Sequence, residues 1–117
     1  MKTFKVKPAE VFALQFTDGK KIEMTYNTRS MSILAEQINN RKITLTGPEF
    51  FSAIIYAGAK SCNPDFTEEE ANALYVQLED SCPDALNGII EEYCKSTGVN
   101  TDTLKKNTIA NLMKMIQ

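Results

Sequence analysis

The chain has 117 residues, 43% of them apolar, and 13 basic against 15 acidic groups give a formal charge of −2. That length and apolar content suit a single domain, 1–117, with a real core. The absence of histidine removes the commonest general base and every Ser-His or Cys-His pair, and no apolar run approaches the roughly 18 residues of a membrane helix.

The first elements read as strands. VFALQF (Val11 to Phe16) and KIEMTY (Lys21 to Tyr26) flank Thr17-Asp18-Gly19, a hairpin signal. A two-residue Asp-Gly loop would pair Leu14 with Glu23 and Phe16 with Lys21, splitting the apolar residues between faces. A three-residue loop pairs Phe12 with Met24 and Leu14 with Ile22, which builds one apolar face and puts Gly19 where a left-handed residue is needed. Phe4 and Val6 share that parity, so a third strand ended by Pro8 is a second option. Val11 to Leu14 is too short for the core of a signal peptide, and a soluble cytoplasmic protein is expected.

Asn27 is placed to cap a helix over about Thr28 to Asn39, with Met31, Leu34, Ala35 and Ile38 on one stripe. Thr46-Gly47-Pro48-Glu49 reads as a capping box, Thr46 with Glu49, opening a nearly continuous apolar helix through Phe50, Phe51, Ile54, Ile55, Gly58 and Cys62. The same device recurs at Thr67 with Glu70 and at Ser81 with Asp84. The stripes that follow are Ala71, Leu74, Tyr75 and Leu78, then Ala85, Leu86, Ile89, Ile90 and Tyr93. Gly98 is a stop signal, and Asn100 or Thr101 can start a last helix bearing Leu104, Ile109, Leu112, Met113 and Ile116. The predicted class is α+β, mainly α. It comprises a β-hairpin part at 1–26 with two or three strands, a helical core at 27–96, and a C-terminal helix at 97–117 that is either packed on the domain or peripheral, giving four to five short helices.

Charge is unevenly laid out. Ser61 to Cys94 carries nine carboxylates and no Lys or Arg, whereas residues 1–60 hold nine basic and five acidic groups. Phosphate binding depends on clustered cations, so the acidic middle argues against a nucleic-acid surface. Lys2, Lys5, Lys7, Lys20 and Lys21 alternate along strand-like segments and read as a solvated face. Cys62, Cys82 and Cys94 form no CxxC pair, which disfavours structural zinc and a disulfide framework. Asp80, Asp84 and Pro83 oppose a reactive thiolate at Cys82, while Cys62 and Cys94 fall on or beside apolar stripes as small core residues. Asp65, Glu68, Glu69 and Glu70 lack the alternation of a calcium loop, and no glycine run makes a phosphate cradle. No catalytic, metal or cofactor-binding residue is assigned, and a non-enzymatic protein is expected.

Tyr56-Ala57-Gly58, followed by Asn63-Pro64-Asp65-Phe66-Thr67 and the glutamate run, resembles the tail assembly chaperones of long-tailed (siphovirus-type) bacteriophages. The match spans about Val11 to Ser96, with Ala59 and Phe66 where the family usually has leucine, and with an extra terminal helix from Thr101. The resemblance implies a non-enzymatic assembly factor of the infected cell's cytoplasm, absent from the finished virion. Such a factor binds the tape measure protein, keeps it soluble and helps recruit tail tube subunits around it. On this reading the Asn63-Pro64-Asp65 corner fixes the angle between the apolar and acidic helices and is a candidate partner contact. Leu112, Met113 and Ile116 of the last helix are expected to cover apolar helix faces of the client, closure of the domain's own core being the alternative. A homo-oligomer is compatible with the sequence. The rival classes are an acidic inhibitor that mimics nucleic acid and a generic intracellular adaptor.

Overall fold

The apolar alternation on either side of Thr17-Asp18-Gly19 folds as a hairpin. Strands β1 (Val11–Gln15) and β2 (Lys21–Thr25) pair antiparallel with Phe12 opposite Met24 and Leu14 opposite Ile22, the three-residue-loop register. The Phe16 amide donates to the Lys20 carbonyl at 2.8 Å and the Gly19 amide to that of Phe16 at 2.9 Å. Gly19 sits at φ 90°, a conformation that disfavours any side chain. Phe12, Leu14, Phe16, Ile22 and Met24 then share the face that packs on the helices.

The computed structural model describes residues 1–4, 10–43 and 47–97. Among these the sheet has two strands; Phe4 is exposed, and Val6 and Pro8, on which a third strand depends, lie outside the described residues.

Helix α1 (Thr28–Arg41) starts on Asn27, whose side chain accepts from the Ser30 amide at 3.0 Å while the Asn27 amide donates to Ser30 Oγ at 3.2 Å. This box satisfies two of the donors a helix start leaves unpaired. The buried face is turned from the expected stripe: Leu34 is buried, Met31 and Ile38 are half-buried, but Ala35 is exposed, and Ser30 and Gln37 are buried instead. Polar partners on neighbouring segments account for the turn. Ser30 Oγ donates to the Thr25 carbonyl at 2.7 Å and lies 2.6 Å from Ser61 Oγ. Gln37 Nε2 donates to Glu68 at 3.0 Å. A hydrogen-bonded buried polar group costs far less than an orphaned one, so both are tolerated inside.

Helix α2 (Pro48–Cys62) is central, packing against α1, β2 and the two later helices. Ala53, Ile54, Ile55, Ala57, Gly58 and Ala59 are all buried. Its start corrects the Thr46–Glu49 box. Gly47, at φ 92°, is the N-cap and makes no side-chain cap bond, and Thr46 lies outside the described residues. With Pro48 as the first helical residue, Glu49 stands one place too early to reach back to the cap.

Helices α3 (Glu68–Ser81) and α4 (Pro83–Thr97) follow. Thr67 and Glu70 form the expected box, with the Glu70 amide donating to Thr67 Oγ1 at 3.1 Å. Ala71, Leu74, Tyr75 and Leu78 are buried as the spacing predicts, and in α4 Ile89, Ile90, Tyr93 and Cys94 are buried with Ala85 and Leu86 half-buried. The Ser81–Asp84 box is displaced. Ser81 is the last residue of α3, and Cys82 serves both helices, its amide donating to Leu78 at 2.8 Å and its carbonyl accepting from Ala85 and Leu86 at 3.1 and 3.4 Å. Proline at the first position of α4 makes residue 82, not 81, the one before the helix. The last predicted helix, with Leu104 and Ile109, lies outside the described residues.

Aromatic rings tie these layers together. Tyr93 meets Tyr26 and Phe50 edge-on at 5.7 and 6.2 Å, and Phe51 stacks on Tyr75 at 6.2 Å, offset or edge-on geometries that their quadrupoles favour.

Candidate interaction surface

The corner between α2 and α3 is built by residues whose polar groups turn inward onto backbone. Asn63 ends α2 with its amide on the Ala59 carbonyl at 2.8 Å; its side-chain amide donates to the same carbonyl at 2.8 Å and to the Glu23 carbonyl of β2 at 2.9 Å. It therefore holds the hairpin against the helix pair. Lys60 Nζ reaches over the corner to the Pro64 carbonyl at 2.8 Å, where it satisfies an acceptor freed by the turn. Pro64 and Asp65 are exposed at the tip, and Phe66 tucks under it at 6% exposure.

The three glutamates that open α3 have different roles. Glu68 accepts from Gln37 and lies 3.6 Å from Arg41, joining α1 to α3; Glu70 closes the cap with Thr67; Glu69 is exposed. All three face the positive end of the helix dipole. A second link, Ser52 Oγ donating to Asn72 Oδ1, fastens α3 to α2.

Beside this corner an open cleft of about 350 Å³ lies between the loop end of the hairpin and α3. Phe66 and Leu74 form its floor, half-buried Phe16 and Ile22 one wall, and Asp18, Lys20, Glu70 and Gln77 the polar rim. Ala73 lines the other wall, and Val76, one turn on, is 55% exposed. Sequence reasoning missed this feature because its walls come from segments some 50 residues apart. The available signals were Val76, an apolar residue off the buried stripe of α3, and Phe66, an aromatic outside any stripe.

Of the candidate partner contacts, Asn63, Pro64 and Asp65 are brought together at the corner, Asn63 engaged structurally and the other two presented to solvent. Leu112, Met113 and Ile116 lie outside the described residues. Cys62, Cys82 and Cys94 are free thiols, half-buried, exposed and buried respectively. Partial burial, and then the Glu23 charge, push the Cys62 thiol above its ordinary range, which leaves less of the nucleophilic thiolate at neutral pH. Among the described residues no three His, Cys, Asp or Glu side chains converge as metal ligands would, and no helix is long and apolar enough to cross a membrane. No protein-family model, curated protein or solved structure matches the chain.

Proposed function

We propose that the protein is a non-enzymatic tail assembly chaperone of a long-tailed bacteriophage. In this reading it acts in the infected cell, holds the tape measure protein in solution and helps tail tube subunits gather around it, and it stays behind when the virion is complete. The observation that carries the reading is the Asn63-Pro64-Asp65 corner, quoted above as part of the family-like run, set between a buried apolar helix and an acidic one. Supporting it, the elements follow in the order hairpin, helix, apolar helix, corner, acidic helix, helix.

The test is co-expression and pull-down with the tape measure protein encoded beside it. Capture of that client, with a tail tube gene upstream, supports the proposal; no capture by the folded full-length chain refutes it. Met113→Asp locates the client site, since undiminished capture by a folded variant removes the last helix from that role. Nine carboxylates in 34 residues without a cation favour one second reading, a nucleic-acid mimic. Salt-sensitive binding to a DNA-processing enzyme, without affinity for a tape measure protein, would put that reading first.

A further inference from the structure

The cleft between the hairpin loop and α3 has an apolar floor inside an acidic surround, and that combination selects an occupant. Spacings of four, three and four residues put Glu69, Ala73, Val76 and Asp80 on one stripe of α3. Of the apolar pair on this stripe, Ala73 lines the cleft and Val76 is exposed on the helix surface beside it, and carboxylates bracket the pair at both ends. Helix α3 carries Glu68, Glu69, Glu70, Glu79 and Asp80 and no cation. At the rim, Asp18 and Glu70 face a single Lys20.

We infer that this cleft, lined by Phe16, Ile22, Phe66, Leu74 and Ala73, together with the exposed Val76 beside it, is a docking site for an amphipathic helix of a partner protein, whose apolar side chains enter the cleft and whose Lys or Arg flanks meet Glu69, Glu70 and Asp80. Apolar anchors entering a groove at helical spacing give this mode its affinity, and complementary charge fixes orientation and speeds encounter. The acidic surround repels nucleic acid. A second copy docking symmetrically would set the acidic α3 helices against each other, which like-charge repulsion opposes. The chemistry of the occupant rests on the cleft alone, and its identification with the tape measure client rests on the function proposed above.

The test uses the full-length chain labelled with nitrogen-15 and a synthetic helical peptide of roughly 18 residues, about 27 Å long, with leucines on one face and lysines flanking them. A twin peptide with glutamate for lysine is the control. Shifts at the amides of Phe16, Ile22, Phe66, Ala73 and Val76, at least tenfold tighter binding of the lysine peptide, and loss of tenfold or more in affinity for Ala73→Glu and Val76→Glu support the inference. Both positions are exposed, so circular dichroism of the variants separates lost binding from lost fold. Shifts elsewhere, or equal binding of the twin, overturn it. So do cleft shifts without peptide, either on dilution, which would mark a second copy, or on Lys105→Glu and Lys106→Glu substitution, which would mark the chain's own C-terminal residues as the occupant. Undiminished capture of the tape measure protein by Ala73→Glu would sink this site and leave the chaperone reading standing; peptide binding at the cleft without any tape measure capture would do the reverse.

Discussion

The phenol of Tyr26 spans from the end of the hairpin to the middle of α2, donating to the Ile54 carbonyl at 2.8 Å with its ring over Gly58. A methyl group built on Gly58 would stand 2.8 Å from Tyr26 Cζ, closer than packed atoms allow. Alanine there gains about 1 kcal/mol of helix propensity but incurs an overpacking cost of about 1–3 kcal/mol, because the pinned ring cannot withdraw without losing its hydrogen bond. Gly58→Ala is therefore expected to lower stability in urea titration. Gly88→Ala in α4, where an added methyl group meets no packed neighbour within 4 Å, should raise it by about 0.5–1 kcal/mol. A stabilised Gly58→Ala would mean that the Tyr26 ring is not held where it is described.

Burial, and to a lesser degree the nearby Tyr93, pushes the Tyr26 phenol well above its ordinary range. Burial and then Glu79 push Tyr75 up to about 12, and burial with a contribution from Cys94 raises Tyr93. Unfolded tyrosines ionise near pH ~10. Above that the unfolded chain sheds protons the native state retains, so this stabilisation is full below pH ~10 and is lost as pH rises through the folded values. Melting temperature should dip slightly above pH ~8.5, where an unfolded Cys62 thiol ionises before the native one, and fall steeply beyond about 9.5 as the tyrosines follow. Tyr26→Phe should cost about 1 kcal/mol at pH 8 through the lost hydrogen bond and make the alkaline fall shallower. An unchanged alkaline slope would exclude Tyr26 as a contributor.

What could be read from the sequence was whatever local spacing decides. The Phe12–Met24 register followed from keeping one face apolar, and the Thr67–Glu70 box from a three-residue interval. The stripe of α1 could not be placed, because Ser30 and Gln37 are buried by partners some 30 residues away, Ser61 and Glu68. Two boxes were misplaced by one residue for a shared reason: in both, a proline fixes the first helical position, and the residue immediately before it takes the cap whatever side chain it carries. The cleft was invisible because Phe16 and Leu74 come to line one space only when the hairpin packs on α2 and so stands beside α3.

Asn63→Ala tests the corner. The side chain satisfies the Glu23 carbonyl from outside the hairpin while also bonding the last turn of α2, so its loss costs about 1–2 kcal/mol and loosens β2 before anything else. Hydrogen exchange should show faster amides in residues 21–25 with α4 unaffected. Asp65→Ala, an exposed tip residue, should be within about 0.5 kcal/mol of the parent. Equal effects of the two substitutions would contradict the structural role given to Asn63.

The helix starts can be separated in the same way. Thr67 Oγ1 accepts from the Glu70 amide and the Thr67 amide donates to the Glu70 carboxylate; Thr67→Ala removes the first of these and keeps the backbone donor of the second, and should cost about 1 kcal/mol. Ser81 is exposed in the final turn of α3, and Ser81→Ala should be neutral or slightly stabilising, alanine being the better helix former. Cys82→Ser distinguishes the two positions further: a serine hydroxyl immediately before Pro83 can accept from the first-turn amides of α4, where a thiol accepts only weakly. It should therefore raise the denaturation midpoint modestly. If Ser81→Ala instead costs as much as Thr67→Ala, the junction has its cap one residue earlier and α3 ends sooner than described.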